Sequence, residues 1–274
     1  MKNMIAFAAT LISAAALAQV PAGEQYVSLG SSYAAGPGVG SPDPASGKCA
    51  RSLSNYARQL AANRHLLLVD VACSGATIAN ILDHGQHGFP AQIDAVTADT
   101  RLVSVLIGGN DIDYVGNLSG LSCRDTRGAN CHIADPANVE RRLADLPAAL
   151  DRVVADIQRR APSSRIILVG YLPAVPAKGD ARCSALPLSE ADGERMRDVA
   201  IRLAQAIRGS ANRNGAGIVN STLIGAGHDA CSAQPFVAGY HPDRNAGWPS
   251  PVAYHPTQAG MDRVAAALDD VISH

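Results

Sequence analysis

Short apolar runs alternate with stretches of helical periodicity along this chain. The apolar runs are rich in β-branched and aliphatic residues and end in polar or glycine-containing turns, which is typical of buried strands. They lie at 26–30, 66–72, 101–107, 164–171 and 217–220. The helical stretches lie at 50–65, 77–82, 138–160 and 189–210, and a final helix is predicted to begin at Pro256. This alternation predicts βαβ crossovers and an α/β fold with a parallel sheet covered on both faces.

Three turns that directly follow predicted strands carry the candidate functional residues Ser32, Gly75 and Asn110. Because the carboxyl ends of parallel strands meet at one edge of a sheet, we expect these turns to lie together. The chain has no internal repeat and no low-complexity linker, so residues 19–274 are predicted to form one domain. Segments 112–137 and 225–254 are expected to be loops that shape a pocket.

Ser32 is the candidate nucleophile, because a strand followed by a sharp turn presents a hydroxyl at the sheet edge. A serine needs a neighbouring base, and an imidazole titrates near neutral pH. His255, at the start of the last predicted helix, is the best candidate, and His241 and His228 are competitors. The amides of Ser32, Gly75 and Asn110 are the candidate donors to an oxyanion.

The first 18 residues predict an exported protein. One lysine, an apolar run and Ala16-Leu17-Ala18 have the form of a secretory signal peptide, and the run is shorter than the ~20 residues needed to span a bilayer. The 6 cysteines that follow indicate three disulfides, with fifteen possible pairings. The spacing of Cys123 and Cys131 favours a local clasp. Because no paired cysteine and histidine spacing of a metal site is present, we predict no metal.

Composition narrows the class of protein further. A net charge of −1 provides no electrostatic footprint for nucleic acid or an anionic membrane. Aromatic residues make up 4% of the chain, which argues against a long aromatic-lined polysaccharide cleft. No segment after the leader is long and apolar enough to span a membrane, so secretion or a periplasmic location is expected. A monomer is the default expectation.

The ordered motifs resemble those of the SGNH (GDSL-type) hydrolases, in particular secreted bacterial lipases and esterases with three disulfides. The matching blocks are Gly30-Ser31-Ser32, Cys73-Ser74-Gly75-Ala76-Thr77, Gly108-Gly109-Asn110-Asp111 and His255-Pro256. The resemblance implies a flavodoxin-like three-layer α/β/α sandwich and acyl transfer without a cofactor. It implies that Ser32 is the nucleophile, that His255 is the base, and that Gly75 and Asn110 complete the oxyanion hole. It also implies the disulfides Cys49–Cys73, Cys123–Cys131 and Cys183–Cys231.

The chain departs from the family pattern at two positions. Ser31 replaces the aspartate of the Gly-Asp-Ser block, and Val252 replaces the aspartate that commonly lies three residues before the histidine. We therefore expect a Ser-His dyad in which a main-chain carbonyl, that of Val252, orients His255. The alternative is that Asp229 or Asp243 reaches the imidazole from the preceding loop.

The sequence predicts a secreted serine esterase or lipase that acts on a small-molecule or lipid ester. Short acyl esters, lipid esters and acetylated sugars are all compatible with it. The alternatives are a binding protein of the same fold that has lost catalysis, and a secreted acyltransferase. The joint presence of Ser32, Gly75, Asn110 and His255 favours the hydrolase.

Overall fold

Five parallel strands form one central sheet in the computed structural model, which describes residues 20–180, 183–242, 248–250 and 252–274. The strands are β1 (Gln25–Gly30), β2 (Leu67–Asp70), β3 (Thr100–Leu106), β4 (Arg165–Val169) and β5 (Gly217–Val219). Their order across the sheet is β2-β1-β3-β4-β5, and every neighbouring pair is parallel. The predicted α/β fold with a parallel sheet is confirmed.

Helices cover both faces of this sheet. They are α1 (Ser32–Ala35), α2 (Tyr56–Arg64), α3 (Ile78–Leu82), α4 (Tyr114–Asp125), α5 (Pro136–Arg160), α6 (Glu190–Arg213), α7 (Ser221–Ile224) and α8 (Gln258–Ser273). From β1 the chain moves to β2 on one side and then returns past β1 to β3. Crossovers between parallel strands are right-handed. The reversal of direction across the sheet therefore places α2 on one face of the sheet and α5 and α6 on the other. Accordingly α2 packs against α8, and α5 packs against α6.

The core consists of the three inner strands β1, β3 and β4 and the apolar faces of the long helices. Along α5, the row predicted to face inward, Leu143, Leu146, Leu150, Val153, Val154 and Ile157, is buried. Tyr26, Val27 and Leu29 of β1 are completely buried, since β1 lies inside the sheet between β2 and β3. Ser32, which follows β1, is therefore attached to a buried strand that is hydrogen-bonded on both sides.

Three predicted boundaries are wrong. Part of the expected 112–137 loop is helix α4, in which Tyr114, Leu118 and Leu121 bury one face while interspersed glycines and serines lower the helix propensity. The predicted helix at 50–65 begins only at Tyr56, where the Asn55 side chain accepts a hydrogen bond from the Arg58 N–H. The last helix begins after Thr257, which caps it by accepting from Gly260.

Three disulfides link Cys49 to Cys73, Cys123 to Cys131 and Cys183 to Cys231, the pairs that the resemblance implies. The expected signal peptide at 1–18 lies outside the described residues. Within the described ranges, no helix is long and apolar enough to cross a membrane.

The disulfides should differ in their contribution to stability according to the length of chain they close. Loop-closure entropy assigns about 4 kcal/mol to Cys183–Cys231, with a sequence separation of 48, and about 2.5 kcal/mol to Cys123–Cys131, with a separation of 8. Replacing each pair by alanines and measuring denaturant unfolding should show the larger loss for the longer loop. A larger loss for Cys123 and Cys131 would contradict this.

Candidate active site

Ser32 lies where β1 ends and the short helix α1 begins. Gly30 allows the turn, because a Cβ at this position would lie 2.6 Å from the Leu106 carbonyl oxygen of β3. The Ser31 N–H then donates to that same oxygen at 3.0 Å, which continues the sheet pairing up to the residue before Ser32. Ser32 is the first residue of α1, so its N–H has no partner within the helix.

His255 is hydrogen-bonded to Ser32. The distance between His255 Nε2 and Ser32 Oγ is 2.7 Å, and both side chains are buried. His255 Nδ1 lies 2.9 Å from the Ala253 carbonyl oxygen. A carbonyl only accepts, so Nδ1 carries the hydrogen and Nε2 is the acceptor for the Ser32 hydroxyl. The arrangement can take a proton from Ser32 at neutral pH.

The orienting group is a main-chain carbonyl, but it is not the expected one. The Val252 carbonyl accepts the main-chain N–H of His255 at 3.0 Å, which closes a turn. Tyr254 occupies this turn with a φ of +59°. Because the Val252 oxygen is used by the turn, the carbonyl of Ala253 faces the imidazole instead.

Of the two alternative acids, the structure describes only Asp229, and its carboxylate is engaged in a local turn rather than hydrogen-bonded to the imidazole. Asp229 Oδ1 accepts the Cys231 N–H at 2.8 Å, so this carboxylate stabilises its own turn. Asp243 lies outside the described residues. His228 stacks on Phe236 with ring centroids 3.9 Å apart, and its Nδ1 lies 2.8 Å from the Gln234 carbonyl oxygen. Burial lowers the pKa of His255 from 6.5 to about 4, and the hydrogen bond to Ala253 opposes this shift.

Gly75 and Asn110 follow the two strands that flank β1. Gly75 occupies a turn after β2 with a φ of +82°, and among the described residues its N–H donates no hydrogen bond. Asn110 follows β3, and its Nδ2 donates to the Ala76 carbonyl at 2.8 Å, which joins the two turns. Asp111 accepts from the Ile78 N–H at 3.0 Å and so caps α3. The sheet order thus places Ser32 between the other two turns.

Three tyrosines outside the predicted site residues connect the segments of the site. The Tyr33 hydroxyl donates to the Tyr254 carbonyl at 2.6 Å and so joins the residue after Ser32 to the residue before His255. The Tyr254 hydroxyl contacts Ser122 Oγ at 2.5 Å. Tyr171 follows β4, and its hydroxyl accepts from the Gly109 N–H at 2.9 Å. The sequence signal that could identify these tyrosines is their position, because each of them adjoins a site residue or the end of a strand.

The Ser31 side chain is hydrogen-bonded to Tyr171. Its Oγ lies 3.2 Å from the Tyr171 hydroxyl, which is also bound to Gly109. Burial raises the pKa of Tyr171 to about 12, so its hydroxyl stays protonated. The position of the family aspartate is therefore occupied by a neutral, buried hydrogen-bonding pair. Among the side chains in the described ranges, no group of three or more His, Cys, Asp or Glu could hold a metal ion.

Comparisons with known proteins identify the family. Residues 28–263 match the GDSL-like Lipase/Acylhydrolase family. Lipase 2 of Streptomyces coelicolor is 33% identical over 94% of this chain and 89% of the relative. The crystal structure of phospholipase A1 from Streptomyces albidoflavus is 28% identical, superposes with a TM-score of 0.72, and covers 91% of this chain and 100% of that one. The extracellular lipase of Streptomyces rimosus, also 28% identical, has a TM-score of 0.69 and covers 90% and 99%. Because the family match and the relatives extend over most of its length, this chain belongs to the GDSL-like lipase/acylhydrolase family of carboxylic ester hydrolases.

Proposed function

We propose that this protein is an exported esterase that hydrolyses lipid-like carboxylic esters through a Ser32–His255 dyad. The observation that carries this proposal is the 2.7 Å hydrogen bond between Ser32 Oγ and His255 Nε2, with Nδ1 fixed by Ala253. A decayed binding protein would have no need to keep the tautomer that accepts the serine proton.

The reaction would proceed in two acyl-transfer steps. His255 Nε2 accepts the Ser32 proton while Oγ attacks the ester carbonyl, and the resulting imidazolium returns the proton to the leaving alcohol. His255 then takes a proton from water while the water oxygen attacks the acyl-enzyme carbonyl, and the imidazolium returns this proton to Ser32 Oγ as the carboxylic acid is released. The N–H groups of Ser32 and Gly75 and the Asn110 amide would stabilise the oxyanion in both steps.

An apolar cavity of about 340 Å³ next to the turn after β4 supports a lipid-like acyl group as substrate. Tyr171 and Tyr114 form part of its wall, and most of the remaining lining is apolar, including Leu172, Val175, Ala200 and Ile201. Since the Tyr171 hydroxyl contacts Ser31 and Gly109, this wall adjoins the catalytic turns. Burial of an acyl chain there would contribute about 0.8 kcal/mol per methylene group.

Export is supported by the leader and by the disulfides. Residues 1–18 have the pattern of a signal peptide, and three disulfides are typical of proteins that fold outside the reducing cytoplasm. The Streptomyces rimosus relative is an extracellular lipase.

Replacing Ser32 by alanine should abolish hydrolysis of p-nitrophenyl esters, with kcat reduced about 10⁴-fold or more because no acyl-enzyme can form. Ser31→Ala is the matched control. It removes one neutral hydrogen bond to Tyr171, worth about 1 kcal/mol, so activity should fall only about fivefold. Equal losses in the two proteins, with both folded, would contradict the assignment of Ser32.

The pKa of His255 predicts an unusually acidic limit to activity. The neutral imidazole is the active form, so kcat/KM should be constant above the pKa and fall as the pH decreases through about 4. Initial rates with p-nitrophenyl butyrate from pH 3 to 8, quenched before reading, would test this, with fluorescence to check folding. A midpoint near 6.5 would contradict it.

Replacing the two candidate acids, Asp229 and Asp243, should leave the Ser32–His255 dyad active. We expect Asp229→Asn and Asp243→Asn to retain kcat/KM within about threefold, because the His255 ring is oriented by the Ala253 carbonyl. Near-total loss from either substitution in a folded protein would mean that a carboxylate serves the imidazole.

Filling the apolar cavity should change chain-length preference. Ala200→Phe on α6 is expected to reduce kcat/KM for p-nitrophenyl decanoate at least tenfold while that for acetate changes little, because only the longer chain needs the occupied space. Ala204→Phe, one turn further along α6 and outside this cavity, is the matched control. Parallel losses on both esters would place the acyl site elsewhere.

A further inference from the structure

The Ser74–Gly75 peptide group occupies the centre of a tight turn. The Ala76 N–H donates to the Cys73 carbonyl at 3.0 Å, and Gly75 has a φ of +82°, the combination that defines a type II turn. The turn's own hydrogen bond does not involve the central peptide. Type I and type II turns differ by a flip of that peptide, and glycine tolerates both. The direction of the Gly75 N–H therefore depends on what the Ser74 carbonyl contacts.

Gln86 makes this contact. Its Nε2 donates to the Ser74 carbonyl at 2.8 Å. Because a trans peptide is planar, the Ser74 C=O and the Gly75 N–H point in opposite directions. A donor that holds the carbonyl on one side therefore holds the N–H on the other. The opposite rotation of the Gln86 amide would bring two acceptor oxygens together, so this hydrogen bond defines which amide atom faces Ser74.

Gln86 itself extends from a fixed main chain. Its N–H and carbonyl exchange hydrogen bonds with Phe89 at 3.0 and 2.9 Å. His87 and Gly88 between them have φ values of +55° and +86°, as in the type I′ turn of a two-residue hairpin. Gly85 permits this hairpin, because a Cβ there would lie 1.7 Å from the Phe89 oxygen. The side chain thus has a rigid base beside the turn.

The corresponding peptide at Ser32 is held in a different way. The Ser31 carbonyl accepts main-chain N–H groups from Ala34 and Ala35 at 3.0 and 2.9 Å. The backbone of α1 therefore fixes the direction of the Ser32 N–H without any side chain. At the second turn, the Ser74 N–H donates to the Cys49 carbonyl at 3.0 Å, next to the Cys49–Cys73 disulfide, but this fixes only the preceding peptide.

We infer that Gln86 is a positioning residue that keeps the Gly75 N–H directed at the oxyanion by preventing a flip of the Ser74–Gly75 peptide. This inference rests on the proposed function. The hydrogen bond to the carbonyl also polarises the same peptide group, so its N–H becomes a stronger donor. Gln86 acts only through Ser74 and Gly75 and does not itself contact the reacting atoms.

The test is Gln86→Met, which keeps the side-chain length and removes the donor. Loss of a complete oxyanion donor costs about 10²–10³-fold in kcat, so release of this peptide should reduce kcat about 10- to 100-fold with KM within about twofold. Gln59→Met is the matched control, because Gln59 Nε2 donates to the Ser54 carbonyl at 2.9 Å on α2, away from the site. It should keep wild-type kcat.

A trifluoromethyl ketone inhibitor provides the second measurement, because its adduct with Ser32 places an oxyanion in the same hole. Its Ki should rise in Gln86→Met by the factor by which kcat/KM falls, an effect that simple destabilisation of the fold would not produce. Gln86→Glu keeps the amide's shape but sets a carboxylate against the Ser74 oxygen, and should lose more activity than Gln86→Met at neutral pH. Wild-type kcat and Ki in either Gln86 variant would overturn the inference. A folded wild-type protein that hydrolyses no ester would instead reject the proposed function.

Discussion

Hydrogen bonding of β1 to both β2 and β3 is the constraint on which the site depends. The paired register brings the ends of the three strands to one edge, with Gly30 opposite Leu106 and Ser28 opposite Asp70. The turns after these strands therefore emerge side by side, and the middle one carries Ser32. The chain also reverses its direction across the sheet at this point, which leaves a crevice that no crossover helix covers. Without this arrangement the turns that carry Ser32, Gly75 and Asn110 would not lie next to one another.

His255, the fourth component of the site, lies just before the last helix. Main-chain hydrogen bonds, rather than ion pairs, hold its segment in place. Ala238 N–H donates to the His255 carbonyl at 2.8 Å, and the Tyr254 N–H donates to the Ala238 carbonyl. The Tyr33 hydroxyl adds a bond to the Tyr254 carbonyl. With these contacts the imidazole needs only one further acceptor, which Ala253 supplies. Burial lowers the pKa of His255, and the hydrogen bond to the Ala253 carbonyl opposes only part of that shift.

Local sequence patterns predict an element correctly where the pattern has a direct physical cause. The buried strands appeared as apolar runs because both faces of the sheet are covered, and the inward row of α5 appeared through its period. The signals failed at α4, where Gly116 and Gly120 mask an apolar face that only packing stabilises. They also failed at the start of α8, because Pro256 is drawn into a bridge with Val237 and leaves the helix cap to Thr257.

The sequence by itself determined the fold class and the residue types of the site, since strand periodicity and the four ordered blocks are local properties. Only the tertiary structure decided how those residues are oriented. The sequence predicts Val252 rather than Ala253 as the orienter, because it does not reveal that the Val252 oxygen closes a turn at Tyr254. Tyr171, Tyr254 and Gln86 likewise act across more than ten residues, through contacts that depend on which strand ends and loops become neighbours. Hydrogen-bond partners that are distant in the chain have no signature in a single sequence, because nothing local requires them.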